Sequence, residues 1–248
     1  MTLVATETAA RPIGTYDRVF YSGIAIAAAI VTIVGFSRTY FLRLFDGGPA
    51  ATISGGPFTL LVHLHGALFT SWVVLFAAQT ALVSARRVAV HRRLGIVGGC
   101  LAAAMIVAGV SLAFATARRG APGPPDDPLL FLAVPLFDMI TFATFVTTAL
   151  VKRRDKESHK RLMVLAYASL LAAPIGRLPG FESSGPVQVF GLAFAFVVAG
   201  MVYDYASRGR VHKVYLWGAP LLLASYPGRI MLGGTAAWHM FARWLLGS

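Results

Sequence analysis

The sequence is poor in the residues that cover a water-soluble surface. Only 13% of its 248 residues are charged, about half of what a soluble domain carries. By contrast 57% are hydrophobic and the mean hydropathy is +0.70, so most side chains meet a non-aqueous solvent, as in an integral membrane protein. Acidic residues are scarcer still: 10 Asp and Glu stand against 22 Lys and Arg, a formal net charge of +12. The basic residues fall in short clusters between apolar runs, with no interleaved aromatics to stack on bases, which excludes nucleic acid as a partner. One cysteine, Cys100, lies inside an apolar run. It rules out an intrachain disulfide, a CxxCH haem attachment and a paired-cysteine zinc site, so any haem would be held non-covalently. The sequence also lacks a P-loop, a nucleophile elbow, an HExxH pair and a Rossmann fingerprint. The last apolar segment has no lysine for a retinal Schiff base. No catalytic residue set is legible. Met1 to Arg18 lack the apolar core of a signal peptide, and the first hydrophobic segment is expected to be retained.

What is present is a series of long apolar stretches. A bilayer-spanning helix needs about 20 mostly apolar residues, and seven segments qualify: Val19–Phe36, Phe58–Ser84, Leu94–Ala117, Leu129–Val151, His159–Leu178, Val187–Ala206 and Val214–Leu232. The expectation is an all-α polytopic membrane protein, a seven-helix transmembrane bundle over residues 19–232 within a single domain, 1–248. Residues 1–18 form an N-terminal segment, and 235–248 carry Trp238, Phe241 and Trp244 at a spacing that suits a short interfacial helix. Fifteen Lys and Arg fall in the N-terminal segment and the second, fourth and sixth loops, and seven on the other side. The positive-inside rule then puts the N-terminus in the cytoplasm and the C-terminus outside, in a bacterial inner membrane.

Three of the inward loops repeat one another. Val90-His91-Arg92-Arg93-Leu94, Ser158-His159-Lys160-Arg161-Leu162 and Val211-His212-Lys213-Val214-Tyr215 each set a histidine and a basic residue at the start of an odd-numbered helix. If those helices are neighbours the imidazoles converge, and two can take both axial positions of a haem. Arg177 and Arg229 follow His159 and His212 by 18 and 17 residues within Pro/Gly breaks; they either snorkel to lipid phosphate or hold a cofactor. The Gly95, Gly98, Gly99 cluster would admit a macrocycle or a neighbouring helix.

In the outer half, His65, Trp72 and Gln79 recur every seven residues along the second helix, while His63 lies on a stripe roughly opposite. The sequence leaves open which histidine faces the bundle. Asp138 sits about 13 Å down the fourth helix, close to the depth of His65. An unpaired carboxylate there is costly, so His65 or His63 is its expected partner. His63, His65 and Asp138 are also the candidate ligands of a metal, which would make the protein an intramembrane hydrolase, although two histidines separated by one residue diverge on a regular helix.

The set His65-Gly66 with Gln79, His91-Arg92-Arg93-Leu94-Gly95 and His159-Lys160-Arg161-Leu162-Met163 resembles a widespread bacterial family of uncharacterised multi-pass membrane proteins. It is similar, more weakly, to transmembrane dihaem b-type cytochromes of the ascorbate-reducible kind. That second resemblance implies haem b held by histidine pairs and a role in electron transfer; this chain supplies the inner pair, with only His65 at a suitable depth for an outer one. The expected ligands are two of His91, His159 and His212, His91 with His159 favoured, in contact with the lipid bilayer and with a quinone or another membrane subunit as partner. The competing expectation is a non-catalytic membrane subunit or assembly factor whose interfacial histidines contact lipid.

Overall fold

The computed structural model describes residues 13–43, 45, 52, 56–120, 127–181 and 183–247. Within these every regular element is helical: α1 (Ile13–Phe36), a π-helical turn (Ser37–Phe41), α2 (Leu60–Ser84), α3 (Val88–Arg118), α4 (Pro128–Val151), α5 (Lys156–Ala168), α6 (Ala172–Ile175), α7 (Pro186–Arg208), α8 (Lys213–Gly233) and α9 (Ala236–Leu246). Five helices are long and apolar enough to cross a membrane, namely α1 with its π turn, α2, α3, α4 and α7. The first twelve residues of the expected N-terminal segment, and residues 121–126 between α3 and α4, lie outside the described residues.

Helix starts follow local chemistry. Thr59 caps α2, Asp127 caps α4 ahead of Pro128, Asp155 caps α5 and Thr235 caps α9; each side-chain oxygen accepts one or two of the N–H groups that a first turn leaves without a partner. α3 begins at Val88 rather than Leu94, which places His91 within its first turn.

The expected continuous helix His159–Leu178 is a correction. α5 ends at Ala168, and two tight turns, in which Leu170 N–H donates to Tyr167 O and Leu171 N–H to Ala168 O, lead into α6. In an unbroken helix the ring of Pro174 would collide with the carbonyl of residue 170. By contrast Pro220 and Pro227 are absorbed inside α8, which runs through both.

α4 is the axis of the assembly and packs against α3, α5, α8 and α9. Its Phe142, Phe145, Ala133 and Ala149 are fully buried. In lipid, apolar burial does not distinguish a helix neighbour from an acyl chain, so close packing and polar bonds must hold such helices together. Small residues serve that end: a Cβ on Gly35 would strike the backbone of Pro174, and one on Gly200 the hydroxyl of Tyr215. The glycine cluster on α3 is likewise taken up by neighbouring helices. Gln79 and Leu75 of α2 lie over Gly95 and Gly98, and Leu150 of α4 over Gly99.

Candidate functional site: a histidine pair and two buried ion pairs

His91 and His159 come together. Their rings lie with centroids 6.4 Å apart and planes at 81°, although α3 and α5 pack chiefly on α4 rather than on one another. The approach is made at the helix ends, where α2, α3, α4 and α5 turn back. Nδ1 of His159 is 2.8 Å from the carbonyl oxygen of Ala149 in the last turn of α4. A carbonyl only accepts, so this bond sets the tautomer with the proton on Nδ1 and leaves the Nε2 lone pair available. His91 is held from its backbone: Gln79 Nε2 donates to its carbonyl at 3.2 Å. The Nδ1 of His91 is buried and has no hydrogen-bond partner.

The third histidine of the repeat, His212, serves differently. Its Nδ1 accepts the Val214 N–H as the cap of α8, and its own backbone N–H donates to Asp204. Burial, with Arg161 close by, holds its pKa below the ordinary 6.5. It belongs to a network of charges that ties α1, α5, α7 and α8. The fully buried guanidinium of Arg161 grips the equally buried Asp204 through Nε (2.7 Å to Oδ2) and Nη2 (2.5 Å to Oδ1). Its Nη1 reaches the carbonyl and carboxylate of Glu157 at 2.7 and 2.8 Å. Asp17 accepts from Lys160, Arg208 and the Tyr203 hydroxyl. Burial of Glu157 works to raise its pKa, but hydrogen bonds from Lys160 and Arg161 prevail and hold it below 4.5.

Sequence reasoning missed this network. Arg161 counted there as a loop charge, and Asp204 was overlooked although it stands in an apolar run beside Tyr203 and Tyr205. The signal was the same one that singled out Asp138, an acid inside an apolar segment.

The partner of Asp138 is Arg229, which corrects the expected bond to His65 or His63. Arg229 Nη1 donates to Asp138 Oδ1 and, at 3.4 Å, to Val134 O. Nε and Nη2 each reach Ser225 at 3.1 Å, through its carbonyl and its hydroxyl. Phe137, Phe190 and Tyr226 surround the guanidinium with ring centroids 5.8, 5.2 and 5.3 Å away. The side chain is fully buried, so Arg229 does not snorkel to a headgroup. Arg177 donates to Ala173 O and lies over the Phe36 ring at 5.0 Å.

The choice between the two histidines of α2 is settled by their stripes. His65 shares its face with the buried Trp72 and Phe76 and stacks on Phe69 at 4.1 Å. His63 is exposed and has Tyr40 of the π turn at 3.4 Å. Among the described residues no group of three His, Cys, Asp or Glu side chains is placed to hold a metal ion. The ligand set His63, His65 and Asp138 therefore does not assemble, and the metal-dependent hydrolase loses its site.

No family model, no curated protein and no solved structure matches this chain.

Proposed function

We propose that the protein is a multi-pass membrane protein that binds haem b non-covalently between His91 and His159 and takes part in electron transfer at the inner boundary of the bundle. The observation that carries the reading is the pair of rings. At a metal–nitrogen bond of about 2 Å, two imidazoles on opposite sides of one ion have centroids about 6 Å apart, and these stand at 6.4 Å. The unpartnered Nδ1 of His91 adds a buried polar atom in want of a partner. Bound haem would supply a one-electron couple. Within the chain, the Ala149 carbonyl fixes the orientation of His159, Gln79 anchors the backbone of His91, and the exposed Arg92 and Arg93 of the same turn offer guanidinium groups to propionates. A quinone or a further membrane subunit is the natural exchange partner for the electron.

The topology proposed with it has seven crossings, five by the long apolar helices and two by α5–α6 and by α8. The N-terminus is cytoplasmic, and α9 lies in the outer interface of a bacterial inner membrane. The test is an oxidised and reduced absorption spectrum of the protein purified from haem-supplied cells. A Soret band is expected that His91→Ala and His159→Ala each abolish and His212→Ala preserves. Without such a band the chain is a structural subunit. Protease access to tags at the two termini checks the orientation.

A further inference from the structure

The last helix is fastened to the bundle along one flank. Trp238 and Ala242 of α9 share a buried cluster with Leu132 and Ala133 of α4 and Ala113 and Ala117 of α3. The Trp238 indole N–H donates to Leu129 O, and His239 Nε2 stands 3.1 Å from Asp127 Oδ2. Beyond these fastenings the last turn of α9 and the end of α3 border a pocket of about 390 Å³. Its walls are Ala117, Arg118 and Gly120 from the end of α3, Leu129 from the start of α4, and Arg243 with Leu246 from α9.

Two features say what the pocket fits. The first is its charge: both of its polar side chains are guanidiniums, carried on different helices. Arg118 is exposed and makes no hydrogen bond or ion pair among the described residues. The acid beside the pocket, Asp127, is occupied, since its Oδ1 accepts the Leu129 and Leu130 N–H groups and its Oδ2 faces His239. The second is the far flank of α9, where Met240, Phe241 and Trp244 are 68%, 47% and 74% exposed. At 100° per residue these three lie on the side away from Trp238 and Ala242, and Arg243 falls on the boundary between the two flanks. A short helix with apolar side chains on both flanks, one of them a tryptophan, suits a bilayer surface. The pocket then opens at the level of lipid headgroups rather than into bulk water.

We propose that this pocket binds one anionic phospholipid, its phosphodiester held between Arg118 and Arg243 and its glycerol and first acyl carbons laid against Leu129 and Leu246. The inference rests on the proposed placement of α9 in a membrane interface and is independent of haem. Each guanidinium offers its N–H groups in a planar fork that matches two oxygens of a phosphodiester. Two cations facing one phosphate favour a headgroup that carries no ammonium of its own. The apolar walls give nothing to a free inorganic ion, whereas they continue the surface on which an acyl stem lies. A phosphate in this position bridges α3 to α9 and adds to the tie that Trp238 makes between α9 and α4.

The full chain, purified in detergent and stripped of lipid, is titrated with phosphatidylglycerol and separately with phosphatidylcholine, and bound lipid is counted by native mass spectrometry. One phosphatidylglycerol per chain is expected, bound about tenfold more tightly than phosphatidylcholine. Arg118→Gln and Arg243→Gln should each weaken it by about tenfold, the loss of a charge-assisted hydrogen bond. Arg119→Gln changes an exposed arginine at the same helix end that bonds to Thr116 and lies outside the pocket; it should bind as the unmutated protein does. Equal affinity for the two lipids, or undiminished binding by both pocket variants, overturns the site. So does an equal loss with Arg119→Gln, which marks a general attraction to positive charge. Displacement of the lipid by excess inorganic phosphate overturns the lipid as occupant. A second reading uses the unmutated protein alone: its thermal midpoint should rise with phosphatidylglycerol and not with phosphatidylcholine, because the lipid binds the folded chain, and the absence of a rise overturns the proposal. Protease access to the terminal tags reports on the membrane placement separately, so failure of the pocket and failure of the topology are told apart.

Discussion

The two halves of the bundle bury a guanidinium in different ways. At the end of the bundle where α5 and α8 begin, Arg161 has two carboxylates, Asp204 and Glu157, and its surroundings extend through Arg208, Lys160 and Asp17 to a third helix. In the outer half Arg229 has one carboxylate, Asp138, and makes up the remainder with backbone carbonyls, a serine hydroxyl and three aromatic faces. The inner arrangement is redundant and joins α1, α5, α7 and α8; the outer one is sparse and joins α4 to α8. A charge network near a boundary can share partners with water, whereas a guanidinium deep among apolar side chains depends on the single acid that faces it. Redundancy inside and dependence outside is a comparison that can be broken.

The largest effect is expected for Asp138→Ala, which leaves a fully buried cation without its acid. A loss of about 3–5 kcal/mol should appear as a steep drop in the thermal midpoint in detergent. Asp204→Asn should cost about 2 kcal/mol, since Glu157 and the amide oxygen still receive Arg161; if the inner variant proves the more damaging, the comparison is inverted. Smaller again is Trp238→Phe, which removes the 2.6 Å bond from the indole N–H to Leu129 O that docks α9 on α4, at about 1 kcal/mol. The smallest effect is that of mild acid on the end of the bundle where α5 and α8 begin. His212 is held below its ordinary pKa of 6.5 by burial and by Arg161, and its neutral ring caps α8. The unfolded chain therefore takes up that proton first, so stability is full above about pH 6.5 and declines as the pH falls. Asp155, lowered by the Ser158 hydroxyl and the backbone N–H groups of α5, and Glu157, lowered against its burial by Lys160 and Arg161, continue the decline through the carboxylate range. Melts at a series of pH values should show this trend, with His212→Asn flattening its upper part.

Much of the architecture was legible because it is local. Apolar runs act within a few residues, and α2, α4, α7 and α8 lie close to their expected bounds, whereas α3 begins six residues before its expected start and the break ahead of Pro174 went against the expected continuous helix. The meeting of His91 and His159 was legible too, since the repeat set both at the same boundary. The partner of Asp138 was not. Depth along a helix set His65 and His63 near the level of Asp138, but rotation about the helix axes, which depth does not give, turned Asp138 to Arg229 instead. Rotation was equally hidden on α2, where His63 and His65 are both compatible with an amphipathic reading until Trp72 and Phe76 are seen to turn inward. Arg161 shows the opposite failure: a basic cluster at a helix start reads as solvated, and nothing in its spacing reveals an acid 43 residues away.

The break between α5 and α6 bears on how such a chain is made. Of the residues that form it Ser169 and Leu171 are fully buried and Leu170 partly so, and Ala168 and Ala172 beside them are buried too; in the proposed bilayer most of the irregular backbone is thereby kept from lipid, as is required where a helix is interrupted in a membrane. This shelter is provided by α1 and α7, and the acid that receives Arg161 lies on α7, later in the chain. During synthesis the α5–α6 segment therefore emerges before part of its protection exists. It is the element least suited to enter the bilayer by itself and the one whose insertion must wait for, or be carried by, the helix that follows. In the proposed membrane, biogenesis is thus coupled from α5 to α7, while α2, α3 and α4 are each long and apolar enough to enter alone.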